Sequence, residues 1–259
     1  MTNRGFIKMS YSDLRKVIRK QIIQEALNFD TSEDLALMVG SIRSRKDYVF
    51  FRLDKTMDYL MDTLNSEQGS QMSYRELAYS LVYDGMQDHV IGGVQCFRVY
   101  NDSHWGASEV KLSAAESGWG PTLYDTVMGE EPRGIMADRA NVSKKAYDVW
   151  NYYRLYRDDI VKKPLDSKEK QWTEETLDDG WEGGGGKYSI SSNPQTHDEF
   201  LQDSTCWVFD RDPVPQAATW LRNGEKIEEL LRTQFDNVDI NNFIARVMSY
   251  TYDYHDGDE

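Results

Sequence analysis

Two glycines, Gly118 and Gly120, flank Trp119 at the junction between an alternating apolar segment and an amphipathic one. Residues 107–116 predict a strand and residues 122–131 predict a helix, so the glycines lie in a strand-to-helix turn. The first N–H groups of a helix have no partner within it, and the helix dipole adds partial positive charge there. Because glycine lets a phosphate approach the backbone closely, the spacing predicts a diphosphate-binding corner. A simple tight turn is the alternative interpretation.

Other arrangements that carry chemistry are missing from the sequence. The four histidines are scattered without carboxylate or cysteine partners at ligand spacing, and no CxxC pair occurs. We therefore expect no metal site. No Ser-His-Asp or Cys-His arrangement indicates a nucleophile.

The elements that position the glycine corner predict an α+β fold. Apolar alternation predicts strands at 89–102, 107–116, 134–139 and 205–210. Helical spacing predicts helices that start after Thr31-Ser32, in the later part of 47–66, after Ser73, at 122–131, after Ser143, beyond Pro215 and after Asp239. Residues 48–51 also fit the start of a strand, and Asn223-Gly224 is expected to interrupt the helix beyond Pro215.

The central stretch resembles the GNAT (GCN5-related N-acetyltransferase) family. That family has a strand, an Arg/Gln-x-x-Gly-x-Gly/Ala loop, a helix, a second strand and a second helix. SEVKLSAAESGWGPTLYDTVMGE is similar to the first unit, and GIMADRANVSKKAYDVWNYYRLYRDD is similar to the second. The segment GASEVKLSAAESGWGPTLYD, together with ADRANVS and VWNYY, also resembles GNAT-like proteins encoded by tailed bacteriophages. The resemblance implies a mixed, mostly antiparallel sheet flanked by helices, with extra helices at both ends.

The resemblance also implies a site and a cofactor. The backbone amides of Gly118, Trp119 and Gly120 would bind the pyrophosphate of acetyl-CoA, and its acyl arm would lie between strands 107–114 and 134–138. Glu109 would be the base that takes a proton from the acceptor amine, although a glutamate on a half-buried strand is more often solvated or salt-bridged. Tyr147 or Tyr153 would protonate the departing thiolate. Both belong to an aromatic row at helical spacing, Tyr147, Trp150, Tyr153 and Tyr156, and such a row more often packs in a core or interface.

Two functions follow from the resemblance. The first is an acyl-CoA-dependent N-acyltransferase that acts on a small-molecule or protein amine. The second is a non-catalytic, GNAT-like phage protein that acts as a structural virion component and binds other phage proteins. Three departures from the family pattern favour the second function. They are Ala115 at the Arg/Gln position, Pro121 beside the glycines, and Trp150 at the position of the family's thiolate-protonating Tyr.

Composition limits the partners. The formal net charge is −14, which disfavours nucleic acid as the main partner. Nowhere do about 18 apolar residues run together, so we expect no membrane insertion. The two cysteines lie far apart, which predicts buried free thiols in a reducing compartment. The expected location is the host cytoplasm or the virion.

We expect three parts in the chain. Residues 1–88 form an N-terminal helical part that could supply the first sheet elements, and its segment 10–28 predicts an amphipathic helix with one basic face. That face is either solvated or docks on an acidic partner. Residues 89–212 form the GNAT-like core with a glycine-rich insertion at 162–200, and residues 213–259 form a C-terminal helical extension.

Overall fold

The computed structural model describes residues 35–66, 72–83, 89–98, 106–138, 142–165, 201–235 and 237–256. The sequence-based helix at 10–28 and most of the insertion at 162–200 lie outside these residues. The strands are β1 Leu35–Ile42, β2 Arg45–Arg52, β3 Val90–Arg98, β4 Ser108–Ala115, β5 Ile135–Ala137, β6 Val161–Pro164 and β7 Trp207–Asp210. The helices are α1 Leu53–Asn65, α2 Tyr74–Tyr83, α3 Gly120–Glu130, α4 Lys144–Tyr156, α5 Ala217–Gln234 and α6 Ile240–Asp256.

The predicted α+β class is confirmed. The seven strands form one open sheet in the order β1-β2-β3-β4-β5-β7-β6, and every neighbouring pair is antiparallel except β4 and β5. Strands from the first sequence-based part therefore join strands from the second in a single sheet. The division into three parts stays a prediction. Among the helices in the described residues, none combines the length and apolar composition that a membrane crossing requires.

Two apolar layers cover the two faces of the sheet. The first face carries Tyr48, Phe50 and Val94 and packs against α3 and α4. The second face carries Val49 and Phe51 and packs against α1, α2 and α6. Each strand thus buries alternate residues on opposite sides, as the two-residue period of a strand requires. We call these the α3/α4 face and the α6 face.

The helix expected after Thr31-Ser32 is wrong, because this segment forms strand β1. Leu35 and Leu37 join the core on the α3/α4 face, while Ala36 and Met38 join the core on the α6 face. A strand buried on both sides reads as a continuous apolar run, which periodicity cannot distinguish from a buried helix.

The interruption expected at Asn223-Gly224 is also wrong, because α5 is continuous through both residues. The Asn223 side-chain amide donates to the Leu35 carbonyl oxygen at 2.7 Å, and Gly224 lies directly against the Leu37 carbonyl. The pair therefore lets the helix pass closely over the outer edge of β1 and supplies a donor to that edge.

Most helix starts follow the expected chemistry. Ser73 and Glu76 form a reciprocal cap at the start of α2, with the Glu76 carboxylate accepting from the Ser73 amide at 2.8 Å. The Ser143 hydroxyl accepts from the Ala146 amide at the start of α4, and Asp239 accepts from Asn242 at the start of α6. Both cysteines are free and buried, as predicted.

Candidate functional site: the corner between β4 and α3

The corner after β4 is a tight turn closed by two backbone hydrogen bonds. The Glu116 amide donates to the Ile91 carbonyl at 2.9 Å, which ties the end of β4 to β3. The Trp119 amide donates to the Glu116 carbonyl at 3.1 Å, and Gly118 adopts a φ of +91°. A positive φ favours glycine, so the backbone of this turn requires glycine at position 118.

The turn leaves donors open to solvent. Among the described residues, the amides of Gly118 and Gly120 have no hydrogen-bond acceptor. Gly118 is exposed and Gly120 is partly exposed, and a methyl group added at either would meet nothing within 4 Å. The Trp119 amide, by contrast, donates within the turn, so it is not one of the open donors that the resemblance implied.

The carboxylate at the end of β4 is paired with an arginine. Arg52 donates two hydrogen bonds of 2.9 and 2.6 Å to Glu116. The carboxylate is therefore neutralised rather than left to repel a ligand. Open amides at the start of α3 also lie at the positive end of its dipole. Pro121 removes one donor from this turn.

Strands β4 and β5 form a fork next to this corner. They pair only from Ser108–Ile135 to Val110–Ala137, whereas β4 continues to Ala115. A register shift in the pairing of β3 with β4 leaves Lys111 as an extra residue at the fork. Beyond Val110, β4 pairs with β3 alone, so its other edge has no strand partner among the described residues.

Glu109 lies at the base of this fork on the α6 face. It is 7% exposed, and it is paired in register with Met136 of β5. The Lys111 ammonium lies 2.9 Å from the Glu109 carboxylate and 2.8 Å from that of Asp138. Burial alone would lower the pKa of Lys111, but the hydrogen bonds that its ammonium donates to these two carboxylates outweigh burial and raise the pKa.

The aromatic residues of α4 differ in burial, and two of them lie in the core. Trp150 is 1% exposed and packs between Tyr124 and Phe209, with ring centroids 5.4 and 5.5 Å away. Tyr153 is fully buried, and its hydroxyl donates to the Asp125 carboxylate at 2.8 Å. Burial, reinforced by Asp125, raises the pKa of Tyr153 well above its ordinary value.

Tyr147 is the more accessible of the two tyrosines implied as acids. It is partly exposed, and burial followed by the charge of Asp203 raises its pKa. Its hydroxyl shares a hydrogen bond with the Asn151 side chain. A phenol with a raised pKa stays protonated at neutral pH, so Tyr147 retains a proton that it can donate.

The structure divides the implied residues between two faces of the sheet. Glu109 and Met136 belong to the α6 face, whereas Tyr147 and Tyr153 pack with the core of the α3/α4 face. The fork between β4 and β5 lies between them. Glu109 therefore does not share a surface with either tyrosine, and a group between the strands would have one on each side.

A buried ion network beneath the corner escaped the sequence analysis. Asp125, 1% exposed, accepts hydrogen bonds from Tyr153, from two Arg157 nitrogens at 3.0 and 2.8 Å, and from Arg211 at 2.6 Å. Tyr153 also lies 3.2 Å from the Pro121 carbonyl oxygen. The sequence did contain a signal for this network, because Asp125 lies inside the apolar stretch 123–128 of α3. Buried acids are almost always paired, so this position indicates a buried cationic partner.

Comparison with known proteins adds no assignment to this geometry. No protein-family model, curated protein or solved structure matches the chain. Within the part of the chain that the structure describes, no group of three or more His, Cys, Asp or Glu side chains is arranged to hold a metal ion.

Proposed function

We propose that this protein binds acyl-CoA at the corner between β4 and α3 and transfers the acyl group to an amine, as the GNAT resemblance implies. The observation that carries the proposal is the pair of amides at Gly118 and Gly120, which have no acceptor among the described residues and belong to an exposed and a partly exposed glycine. Free amides at a helix N-terminus are suited to a diphosphate.

The order of elements around the corner supports the proposal. Strand β4, the glycine turn, α3, β5 and α4 follow one another as the resemblance requires. Beyond Val110 the edge of β4 has no strand partner among the described residues, and an extended thioester arm would lie along this edge. The pantetheine arm carries amide groups that can pair with an unpaired strand edge.

The chemistry uses the two faces of the fork. An acceptor amine attacks the thioester carbon, the C–N bond forms and the C–S bond breaks, so the amine loses a proton and the thiolate gains one. Glu109 would take the amine proton on the α6 face. Tyr147 would protonate the thiolate on the α3/α4 face. The amine approaches the thioester carbon from one side, and the thiolate leaves in a different direction. The base and the acid therefore need not lie on the same face of the sheet. The acceptor would be a small amine, a nucleobase or a protein amine.

Tyr153 takes a positioning role in this proposal. Its hydroxyl is committed to Asp125, and its ring is fully buried. It would hold the first turns of α3 against α4 and thereby fix the corner. Trp150 fills the core beside it and takes no part in proton transfer.

A second candidate function is a non-catalytic phage scaffold. A cluster of tyrosine rings on α2 and α6 favours it, since Tyr79 and Tyr254 are each 51% exposed. Tyr83 contacts the rings of Tyr79, Tyr250 and Tyr254 at 4.5, 5.9 and 5.9 Å. Exposed tyrosines are frequent in protein interfaces, and the partner would be another phage protein.

Thermal unfolding with acetyl-CoA tests the proposal. A ligand at about 100 times its Kd stabilises the folded state by about 2.7 kcal/mol, which raises Tm by roughly 5–10 °C for a chain of this size. Ser117→Asp places a carboxylate beside the amides and should abolish the shift. Ser117→Asn has nearly the same shape without the charge and should preserve it. No shift of the unaltered protein at millimolar acetyl-CoA would defeat the proposal.

Product analysis separates the two functions. An enzyme releases CoA when an amine panel is added, and Glu109→Gln should lower the rate while leaving acetyl-CoA binding intact. Glu225→Gln, at an exposed position on α5, is the matched control and should leave the rate unchanged. Binding without CoA release, together with a stable oligomer in light scattering, would support the scaffold.

A further inference from the structure

A small cavity lies at the end of the sheet opposite the glycine corner. It has a volume of about 70 Å³ and is formed where the β1–β2 turn, the end of β3 and the start of β4 meet. Strand β4 begins at this cavity with Ser108 and ends at Ala115 next to the corner. At about 3.3 Å per residue the two sites lie about 20 Å apart. The cavity is therefore independent of the acyl-CoA site.

The polar groups on the floor of the cavity are already hydrogen-bonded or ion-paired within the protein. Glu131, 3% exposed, accepts hydrogen bonds of 2.5 Å from both the Tyr48 and Ser108 hydroxyls. The Lys46 ammonium lies 3.1 Å from the same carboxylate. Cys96 also lines the floor, and burial raises the pKa of its thiol, so it is not a nucleophile. The floor carries no net charge, because Lys46 balances Glu131.

The rim of the cavity carries two arginines, Arg43 and Arg98. Both are exposed, and neither has an ion pair or side-chain hydrogen bond in the described part of the chain. The Arg98 amide donates to the Ser44 carbonyl at 2.8 Å, which fixes the β1–β2 turn beside the end of β3. Counted over the described residues, the rim therefore adds two positive charges that have no ion-pair partner, in a chain whose formal net charge is −14.

The backbone at Arg43 adopts a conformation that is unfavourable for a long side chain. Its φ is +57°, in the left-handed region that glycine or asparagine ordinarily occupies in a two-residue hairpin turn. A long side chain there costs on the order of 1 kcal/mol. Strain of this kind is concentrated at ligand-binding positions. Here it is borne by a side chain that lines the mouth of the cavity.

We propose that Arg43 and Arg98 bind a phosphate group at this mouth. Two uncompensated guanidinium groups match a dianion, and a phosphate carries about −1.5 to −2 charges at neutral pH. Guanidinium groups bind phosphate oxygens in a two-pronged geometry. The hydroxyls of Ser41 and Ser44, which also line the cavity, supply further donors. The small volume admits the phosphate group alone, so an attached organic group would remain outside. The ligand is inorganic phosphate or the monoester of a small molecule.

Amide NMR and calorimetry at constant ionic strength test the proposal. The probes are inorganic phosphate and glycerol 3-phosphate, with chloride as the reference for unspecific charge effects. We expect saturable binding of at least one probe, with shifts at the amides of Ser44 and Arg98. A tighter Kd for the ester indicates a monoester ligand, and a tighter Kd for phosphate indicates the free anion.

Variants locate the site. Arg98→Gln and Arg43→Asn should each raise the Kd by about tenfold or more, because each removes a charge-assisted contact. Arg75→Gln removes the same charge from an exposed position on α2 and should leave the Kd unchanged. Arg43→Asn should also raise Tm in the absence of phosphate, because Asn tolerates the left-handed region.

The outcomes are distinct from those of the acyl-CoA proposal. Arg98→Gln should leave the acetyl-CoA shift intact, and Ser117→Asp should leave phosphate binding intact. The inference is overturned if neither probe binds saturably, or if Arg98→Gln binds as tightly as the unaltered protein.

Discussion

The glycines at the β4–α3 corner and the glycine in α5 occupy opposite environments. A methyl group added at Gly118 or Gly120 would meet nothing within 4 Å, whereas one added at Gly224 would overlap the Leu37 carbonyl. Gly224 is buried in the middle of a helix, and Gly118 is exposed in a turn. The first site uses glycine to leave space open, and the second uses it to bring two backbones together.

This difference distinguishes glycines whose place is explained by packing from glycines that leave room for a ligand. At Gly118 the positive φ of the turn explains the residue, but Gly120 has neither a positive φ nor a neighbour that fills the space beside it, so a ligand remains a reason for glycine there. Where a neighbouring backbone fills that space, packing alone explains the residue. Substitutions that test the two environments should therefore act on stability in one case and on binding in the other.

The largest effect is expected at the network that holds α3 beneath the corner. Asp125→Asn removes a buried charge that binds Tyr153, Arg157 and Arg211. Breaking a buried ion pair on one side costs about 3–5 kcal/mol, and the lower end applies because Asp159 still pairs with Arg157. Urea unfolding measures this loss.

The control for this experiment is Asp148→Asn, at an exposed position on α4. It should change the free energy of unfolding by no more than about 0.5 kcal/mol. A loss as small as that for Asp125→Asn would mean that the buried network does not stabilise the fold.

The next effect is expected at Gly224. Gly224→Ala gains about 1 kcal/mol of helix propensity, but overlap with the Leu37 carbonyl forces α5 away from β1. Overpacking of this kind costs about 1–3 kcal/mol, and a rigid backbone neighbour places the cost at the upper end. We expect a net loss of about 2 kcal/mol in urea unfolding, and a stabilised variant would contradict the close approach. Glu225→Ala, on the exposed side of α5, is the control and should show no such loss.

A smaller loss of stability is expected at Gly118. Gly118→Ala keeps the space but places a side chain at a φ of +91°, which costs about 1 kcal/mol. Ser117→Ala, one residue earlier, should change stability by less than about 0.5 kcal/mol. Equal unfolding midpoints for these two variants would show that the turn does not need its positive φ.

The smallest effect on stability is expected at Gly120. Gly120→Ala has room for its methyl group and no positive φ, so the free energy of unfolding should change by less than about 0.5 kcal/mol. The methyl group would nevertheless occupy the approach to the open amides. We expect the Kd for acetyl-CoA to rise by about tenfold in calorimetry, equivalent to about 1.4 kcal/mol. An unchanged Kd would place the ligand elsewhere.

The sequence predicted local structure where one residue decides it. Ser73, Ser143 and Asp239 each begin a helix as expected, because a capping side chain acts within three residues. The same logic failed at Leu35–Ile42 and at Asn223-Gly224. There the outcome depends on contacts between β1 and α5, nearly two hundred residues apart.

The candidate site shows the same limit. The glycine turn between β4 and α3 was predictable from residues close in sequence. Helical spacing already favoured core or interface packing for the aromatic residues of α4. The particular partners of Trp150 and Tyr153 were not predictable, because Asp125, Tyr124 and Phe209 come from other elements. The cavity at Arg43 and Arg98 was likewise invisible, since the two arginines come together only when β2 pairs with β3.

The central claim is that the Gly118 and Gly120 amides hold a diphosphate, and amide NMR during an acetyl-CoA titration tests it most directly. The account predicts that these two resonances shift together and saturate, while the Trp119 amide, already bonded to Glu116, shifts less. Resonances at Gly118 and Gly120 that stay in place at millimolar acetyl-CoA would contradict it.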